Sequence, residues 1–234
     1  MAKYKRVLLK LSGEALAGDK KTGFDEETCI KVGKQVQKLV KSGVQVAIVI
    51  GGGNFWRGRT SETIDRYKAD QIGMLATIMN CIYVGDIFRY LGLSTAIYTP
   101  FECGGITKIF NKDDCVSDLN QNKVVFLAGG TGHPFFSTDS ATSLRAIELE
   151  CDIILMAKAI DGVYDSDPHK NPNAKKYDIM PIDEIIDKKL GVIDMTSAVL
   201  CKENKMPILI FSLLAENGIV NAASGINSGT IITA

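Results

Sequence analysis

Residues 44–54 read VQVAIVIGGGN, an almost unbroken apolar run that ends in three glycines and an asparagine. A strand apolar on both faces has to be covered on both, which is how a parallel sheet between helical layers reads in sequence. Working outward, residues 26–41 keep a helical period and stop at Gly43, and residues 6–11 (RVLLKL) form an earlier strand. On the other side, residues 69–91 give the clearest helix, in which Ile72, Leu75, Ala76, Met79, Tyr83, Ile87 and Tyr90 share one face and Gly92 closes the end. Strands are expected at 95–99 and 123–128, and a helix at 139–150. The second half repeats the alternation: a strand at 153–157, a polar loop to Asp178, helices at 182–188 and 196–204, and a strand at 208–212. A short helix at 216–223 and a last strand at 230–233 complete it.

This order predicts the α/β class, an open αβα sandwich with a mainly parallel central sheet. A chain of 234 residues with 46% apolar content suits one domain over 1–234 with two lobes, about 1–150 and about 151–234. The linker-like segment 165–176 (DSDPHKNPNAKK) breaks both periods but is too short to separate two domains.

Composition narrows the function classes. Lys and Arg number 27, as do Asp and Glu, so no global field recruits nucleic acid or an anionic membrane, and neither is expected as a partner. The basic start is followed only by Val7-Leu8-Leu9, short of a secretory signal, and no run nears the roughly 20 apolar residues of a membrane span. Six scattered cysteines without a C-x-x-C pair predict reduced, mostly buried thiols and a cytoplasmic protein. With two isolated histidines, His133 and His169, neither a histidine metal site nor a Ser-His-Asp triad is supported.

Chemistry is expected where the strands end. Ligands of such sheets bind beyond the carboxyl ends of the strands, and three of those ends run into glycine: Lys10-Leu11-Ser12-Gly13-Glu14, Gly51-Gly52-Gly53-Asn54 followed by Arg57, and Gly129-Gly130-Thr131-Gly132. Glycine lets backbone N–H groups approach phosphate oxygens, and a helix N-terminus adds favourable partial charge. Two familiar motifs fail. Residues 53–60 (GNFWRGRT) nearly spell a P-loop, but Arg59 replaces the lysine and Phe55 and Trp56 are too bulky to wrap phosphate. The dinucleotide fingerprint ends in Trp56 where glycine is required, which excludes a dehydrogenase. Lys10 closes a strand whose neighbours look buried, so its ammonium should emerge beside Ser12 and Gly13; an ordinary strand-end lysine fits the same sequence. Asp139 and Asp70 also fit helix-start residues, and Asp194 and Asp161 also fit solvated loop carboxylates.

Together these segments resemble bacterial uridylate kinase, within the amino-acid-kinase superfamily. The resemblance runs nearly end to end: KLSGE at 10–14, VIGGGN followed by RG within 49–58, DQIGMLAT at 70–77, TGHPFFSTDS at 131–140 and DGVYDSDP at 161–168. The opening KLSG is shared widely in the superfamily, whereas the helix motif and the TGHPFFSTD block are much more specific to the uridylate branch.

The resemblance implies the amino-acid-kinase fold and transfer of a phosphoryl group from MgATP to UMP. It places ATP on Lys10, Leu11, Ser12, Gly13, Gly53, Arg57, Lys158, Tyr164 and Asp167. It places UMP on Gly52, Asp70, Thr131, Gly132, His133, Pro134, Phe135, Phe136, Ser137 and Thr138, with Asp70 accepting from the ribose hydroxyls. Lys10, Asp139 and Asp194 would be catalytic, Asp139 orienting Lys10. It further implies UMP in the N-terminal lobe and ATP in the C-terminal one, a homohexamer, and activation by GTP, involving residues 18–23 (GDKKTG), with inhibition by UTP. His133 stands where many relatives carry Asn, and Lys158 where some carry Thr. Because the acceptor is already a phosphate oxygen, no potent base is needed; Mg²⁺ arrives with ATP and no protein metal cage is expected. Two other readings stay open: a kinase of this fold acting on a carboxylate or carbamate, and a nucleotide-binding regulator without turnover.

Overall fold

The computed structural model describes residues 3–56, 63–166, 168, 170–188, 190–213, 215–226 and 229–234. In chain order its first half contains β1 (Arg6–Leu11), α1 (Gly13–Ala17), α2 (Glu26–Lys41), β2 (Gln45–Ile50), α3 (Arg66–Tyr90), β3 (Thr95–Thr99), β4 (Lys108–Ile109), α4 (Lys112–Asn120), β5 (Val124–Leu127) and α5 (Thr138–Glu148). The second half contains β6 (Ile153–Lys158), β7 (Ile179–Pro181), α6 (Ile182–Asp187), α7 (Met195–Glu203), β8 (Ile208–Ser212), α8 (Gly218–Ala223) and β9 (Thr230–Thr233). One sheet takes the order β4-β3-β5-β2-β1-β6-β8-β9-β7. The pairings from β4 through β8 are parallel, β9 runs antiparallel to β8, and β7 lies parallel to β9.

The period of two along the strands sorts their side chains into two cores. Val7, Leu9 and Leu11 of β1 pack with Val46, Ile48 and Ile50 of β2 under α2, α3 and α8. Leu8, Ala47 and Val49 face the other way, with Ile154 and Met156 of β6, under α4, α5, α6 and α7. The sheet is thus covered on both faces, as its apolar strands require. The chain moves from β1 to β2 on one side and only later returns to lay β6 on the other. The carboxyl end of β1 is therefore the point where strand order reverses, which is where open α/β sheets leave a crevice for ligands.

The expected elements are present with ends that coincide or differ by at most three residues, except that α1, β4, α4 and β7 have no counterpart in the sequence pattern. One expectation about a face was wrong. In α3 the buried residues include Ala69, Ala76, Thr77, Asn80, Cys81, Val84, Gly85 and Phe88. Ile72, Leu75, Met79 and Tyr90, assigned to one face with Ala76, are exposed, Tyr90 to 81%. The helix is apolar nearly all round, so its period does not choose a face; the buried side combines Ala76, Cys81 and Gly85, which let the helix approach the sheet, with Ile78, Val84 and Phe88, which fill the core. Among the described residues α3 is also the helix long and apolar enough to cross a membrane by composition, but Cys81, Val84 and Phe88 are fully buried in the protein core. All six cysteines are free and five are buried; burial pushes the thiols of Cys29, Cys115 and Cys151 up to about 12.

α4 escaped the sequence pattern because what anchors it is polar. Asp118, on its buried side, accepts from Tyr98 Oη at 2.7 Å, Lys123 Nζ at 2.7 Å and Lys108 Nζ at 3.1 Å, joining α4 to β3, β4 and the start of β5. Burial pushes the Asp118 carboxyl up, but the bonds from Lys123, Tyr98 and Lys108 outweigh it and hold the group at about 2. A depressed carboxylate stabilises the fold above its unfolded value of about 4 and loses that contribution as pH falls toward about 2. Asp118→Asn should therefore lower stability in urea unfolding at pH 7, with the deficit relative to the parent shrinking as pH falls from about 4 to 2. A deficit that stays constant down to about pH 3 would show that the charge of Asp118 contributes nothing.

Candidate active site

β1 positions the first functional group by alternation. Leu8 points toward the core beneath α5, so Lys10, two residues on, emerges on the same face at the carboxyl end of the strand. There it meets the first turn of α5: Lys10 Nζ lies 3.1 Å from Asp139 Oδ1, with the two side chains only 12% and 16% exposed. The contact is one of charge, since buried Asp139 Oδ1 has no partner in hydrogen-bonding geometry. α5 starts here because Ser137 caps it, Oγ accepting from Asp139 N at 3.0 Å and Ser140 N at 3.3 Å. Lys158, on the same face of the neighbouring strand β6, donates from Nζ to the Val192 carbonyl. Burial pushes its ammonium below the ordinary lysine value; Asp139 and Asp194 act in the opposite direction and Lys10 reinforces the fall.

Asp194 caps α7, with Oδ1 accepting from Ser197 N at 2.8 Å. Its Oδ2 accepts from Ser140 N at 3.1 Å and from the Ser137 hydroxyl, and the Ser140 hydroxyl adds a further bond, so one carboxylate clips the start of α7 to the start of α5. Lys10, Asp139 and Asp194 line one cleft of about 490 Å³ with Arg66, Asp70, Phe136, Ser137 and Thr138.

Asp70 stands in the second turn of α3 and reaches across to the loop between β5 and α5. Its Oδ2 accepts from Phe135 N at 2.8 Å, and Arg66 Nε lies 3.0 Å from both carboxylate oxygens. Phe135 holds a left-handed φ of 71° while 66% exposed, a strained arrangement for a bulky residue and of the kind found at functional sites. Asp70, Phe136, Ser137 and Thr138 also wall a second, narrower cavity of about 150 Å³, completed by Gly52, Trp56, Gly73, Met74, Thr77, Thr131 and His133. The two spaces thus adjoin across these four shared residues. One offers a cation and the N-terminus of an 11-residue helix, which suit phosphate; the other offers aromatic walls and a carboxylate, which suit a ring and a diol.

The family model for the amino acid kinase family matches residues 5–212. The chain belongs to the amino acid kinase family. Among solved structures, the family fold is matched by a UMP kinase from Bacillus anthracis at 33% identity and a TM-score of 0.94, covering 98% of this chain and 96% of that one. A UMP kinase from Ureaplasma parvum matches at 34% identity and a TM-score of 0.93, over 99% of this chain and 100% of that one. A uridylate kinase from Archaeoglobus fulgidus matches at 25% identity and a TM-score of 0.75, over 99% and 100%.

Within this family fold the expected residues distribute unevenly. Lys10, Asp139, Asp194, Asp70, Phe136, Ser137 and Thr138 meet in the larger cleft, and Gly52, Thr131 and His133 join four of them in the smaller cavity. Leu11 is fully buried and its carbonyl is taken by Gly51 N at 3.0 Å, so its side chain belongs to the core. Ser12 begins α1 without a side-chain capping bond. A Cβ on Gly13 would stand 2.3 Å from the Gly51 carbonyl oxygen and one on Gly53 would stand 2.4 Å from Glu14 Oε1, so both glycines permit the loops after β1 and β2 to touch. Gly132 and Pro134 continue the loop through Phe135. Lys158 and Tyr164 line neither space; the Tyr164 hydroxyl donates to Asp161 Oδ1 at 2.7 Å, on a loop closed by the pairing of Tyr164 with Lys176. Arg57 and Asp167, expected at ATP, lie outside the described residues.

Sequence reasoning named none of Trp56, Gly73, Met74, Thr77 and Arg66 as site residues. Trp56, read there as too bulky for a phosphate loop, is a cavity wall held by Nε1 donating to the Ala69 carbonyl at 2.8 Å. Gly73, a helix-interior glycine one turn after Asp70, was the available signal. Removing the clip at Asp194 by Asp194→Ala should cost about 2 kcal/mol in urea unfolding, the upper end for a helix cap; an unchanged midpoint would show that α5 and α7 are held together by packing alone.

Proposed function

We infer that this chain is a UMP kinase, a nucleoside monophosphate kinase that transfers a phosphoryl group to UMP. The observation that carries the reading is the likeness, over nearly the full length of both chains, to two UMP kinases built around the same fold. ATP is the phosphoryl donor in this reading, and the chemistry of the two adjoining spaces supports it. UMP would occupy the cavity beside Asp70 in the N-terminal lobe, its ribose diol accepted by the carboxylate and its ring between Trp56 and Phe136. ATP would approach from the C-terminal lobe, over Gly191 and Ile193, with its terminal phosphate between Lys10 and the start of α5.

Phosphoryl transfer proceeds through a loose transition state, so positioning and charge neutralisation do most of the catalysis. Lys10 would sit against the migrating group, Asp139 would aim it, and the N–H groups at the start of α5 would add partial positive charge. Asp194 would act through the helix starts it joins. A magnesium ion fits as one carried by the nucleotide: no group of three metal-ligating side chains gathers among the described residues, while Asp139 Oδ1 is a buried oxygen without a hydrogen bond in the cleft. Such an ion neutralises phosphate charge and keeps most of its waters.

Assembly, regulation and location belong to the same proposal. The exposed Leu75, Met79, Ile82 and Tyr90 on α3 support association between copies of the chain, with a homohexamer expected from the family. Activation by GTP and inhibition by UTP rest on the family resemblance. Buried free thiols support a cytoplasmic setting.

The test is ADP release from MgATP with UMP, CMP, AMP, GMP, carbamate and acidic amino acids offered separately. Turnover with UMP alone is expected; turnover with a carboxylate or carbamate instead would overturn the acceptor. Lys10→Ala should lower kcat by about 10²-fold or more with UMP binding retained, and near-normal kcat in a folded variant would remove Lys10 from the mechanism. Asp70→Asn should chiefly raise KM for UMP, since ribose contacts are shared by ground and transition states; unchanged UMP affinity would leave Asp70 as a structural tether for Phe135.

A further inference from the structure

Beneath the site lies a pair of buried amides to which the mechanism above gives no part. Asn54, 1% exposed, follows the glycines after β2, and Asn80, 0% exposed, stands in the middle of α3. Asn80 Nδ2 donates to Asn54 Oδ1 at 2.8 Å and to the Gly51 carbonyl at 2.7 Å. Asn54 Nδ2 donates back to Asn80 Oδ1 at 2.9 Å and to the Gly23 carbonyl at 2.8 Å. Both N–H donors of each amide are thereby used. Gly13 rests on the same pair: a Cβ there would come within 2.4 Å of Asn54 Oδ1 and 3.0 Å of Asn80 Nδ2.

We propose that Asn80, acting through Asn54, is a positioning residue for phosphoryl transfer, setting the loops after β1 and β2 at a constant distance from the acceptor site. α3 carries the acceptor contact at Asp70. One turn before Asn80 it also carries Thr77, whose Oγ1 accepts from Gly129 N at 2.8 Å and holds the loop after β5. One rigid helix therefore gauges the acceptor carboxylate and the glycine loops against each other. The amide is the side chain that can do this at position 80. A carboxylate would turn lone pairs toward the Gly51 and Asn54 oxygens, and an apolar residue would leave both unpaired in the core. A fully satisfied buried network holds its members rigidly, and a displacement of about 1 Å at a reacting centre can cost about 10²-fold in rate.

The inference rests on the UMP kinase reading. Its test compares the parent protein with Asn80→Ala, Asn80→Asp and Asn54→Ser, counting competent sites by equilibrium UMP binding and dividing turnover by that count. Asn80→Ala should lower kcat per UMP-binding site by about 10²-fold while KM for UMP stays within about threefold. Asn80→Asp should lower it further, and Asn54→Ser, which keeps the bond from Asn80 to Gly51, should fall between the parent and Asn80→Ala. If the position-80 variants yield no folded protein, Asn54→Ser decides. A kcat per site within about twofold of the parent, accompanied only by a lower melting temperature, would make the pair purely structural and overturn the proposal. A parent protein that is inactive on UMP would instead overturn the reading on which the proposal depends.

Discussion

A lysine at the penultimate position of a central strand, buried to 12% exposure, is tolerable only if its charge is answered. Asp139 answers it, and much of the site's arrangement follows from that demand. The carboxylate has to lie in the first turn of a helix packed on the even-numbered face of β1, which brings the start of α5 to the carboxyl end of the sheet. Ser137 and Asp194 then hold that helix start in place. Because strand order reverses at β1, the pair lies at the mouth of the crevice and not beneath it. The pairing is one of charge, and it leaves Asp139 Oδ1 without a hydrogen bond.

α3 serves two layers with one sequence. Its small residues bury against the sheet together with Ile78, Val84 and Phe88, its polar residues Asp70, Thr77 and Asn80 organise the loops above it, and Ile72, Leu75, Met79 and Tyr90 face outward. That division explains the low polarity of the helix as a whole. It also explains why a helix long enough to span a bilayer belongs to one of the two cores of a three-layered protein.

Strand positions were legible in the sequence because β1, β2, β6 and β8 are apolar on both faces and end in turn residues or loops. Lys10 was legible for the same reason: an ammonium amid Leu8, Leu9 and Leu11 has only the strand end to emerge from. Other features were hidden by physics the pattern does not carry. The buried side of α3 was not marked by its period, because apolar residues stand nearly all round the helix. α4 depended on Asp118 meeting Tyr98, Lys108 and Lys123 across the fold, and β4 is too short to show alternation. Asn80 looked like a single polar interruption in an apolar helix, since its partners Gly51 and Asn54 are some thirty residues distant and only the fold brings them close.

The order of strands has one more consequence. A nine-stranded sheet is a long template, yet its two rims are the two-residue β4 and the three-residue β7, the latter ending in Pro181, which has no N–H to offer. Short edge strands and a proline of this kind offer little backbone for another chain to extend, a feature that limits edge-to-edge aggregation. Growth by sheet extension is thereby disfavoured at both ends of the sheet.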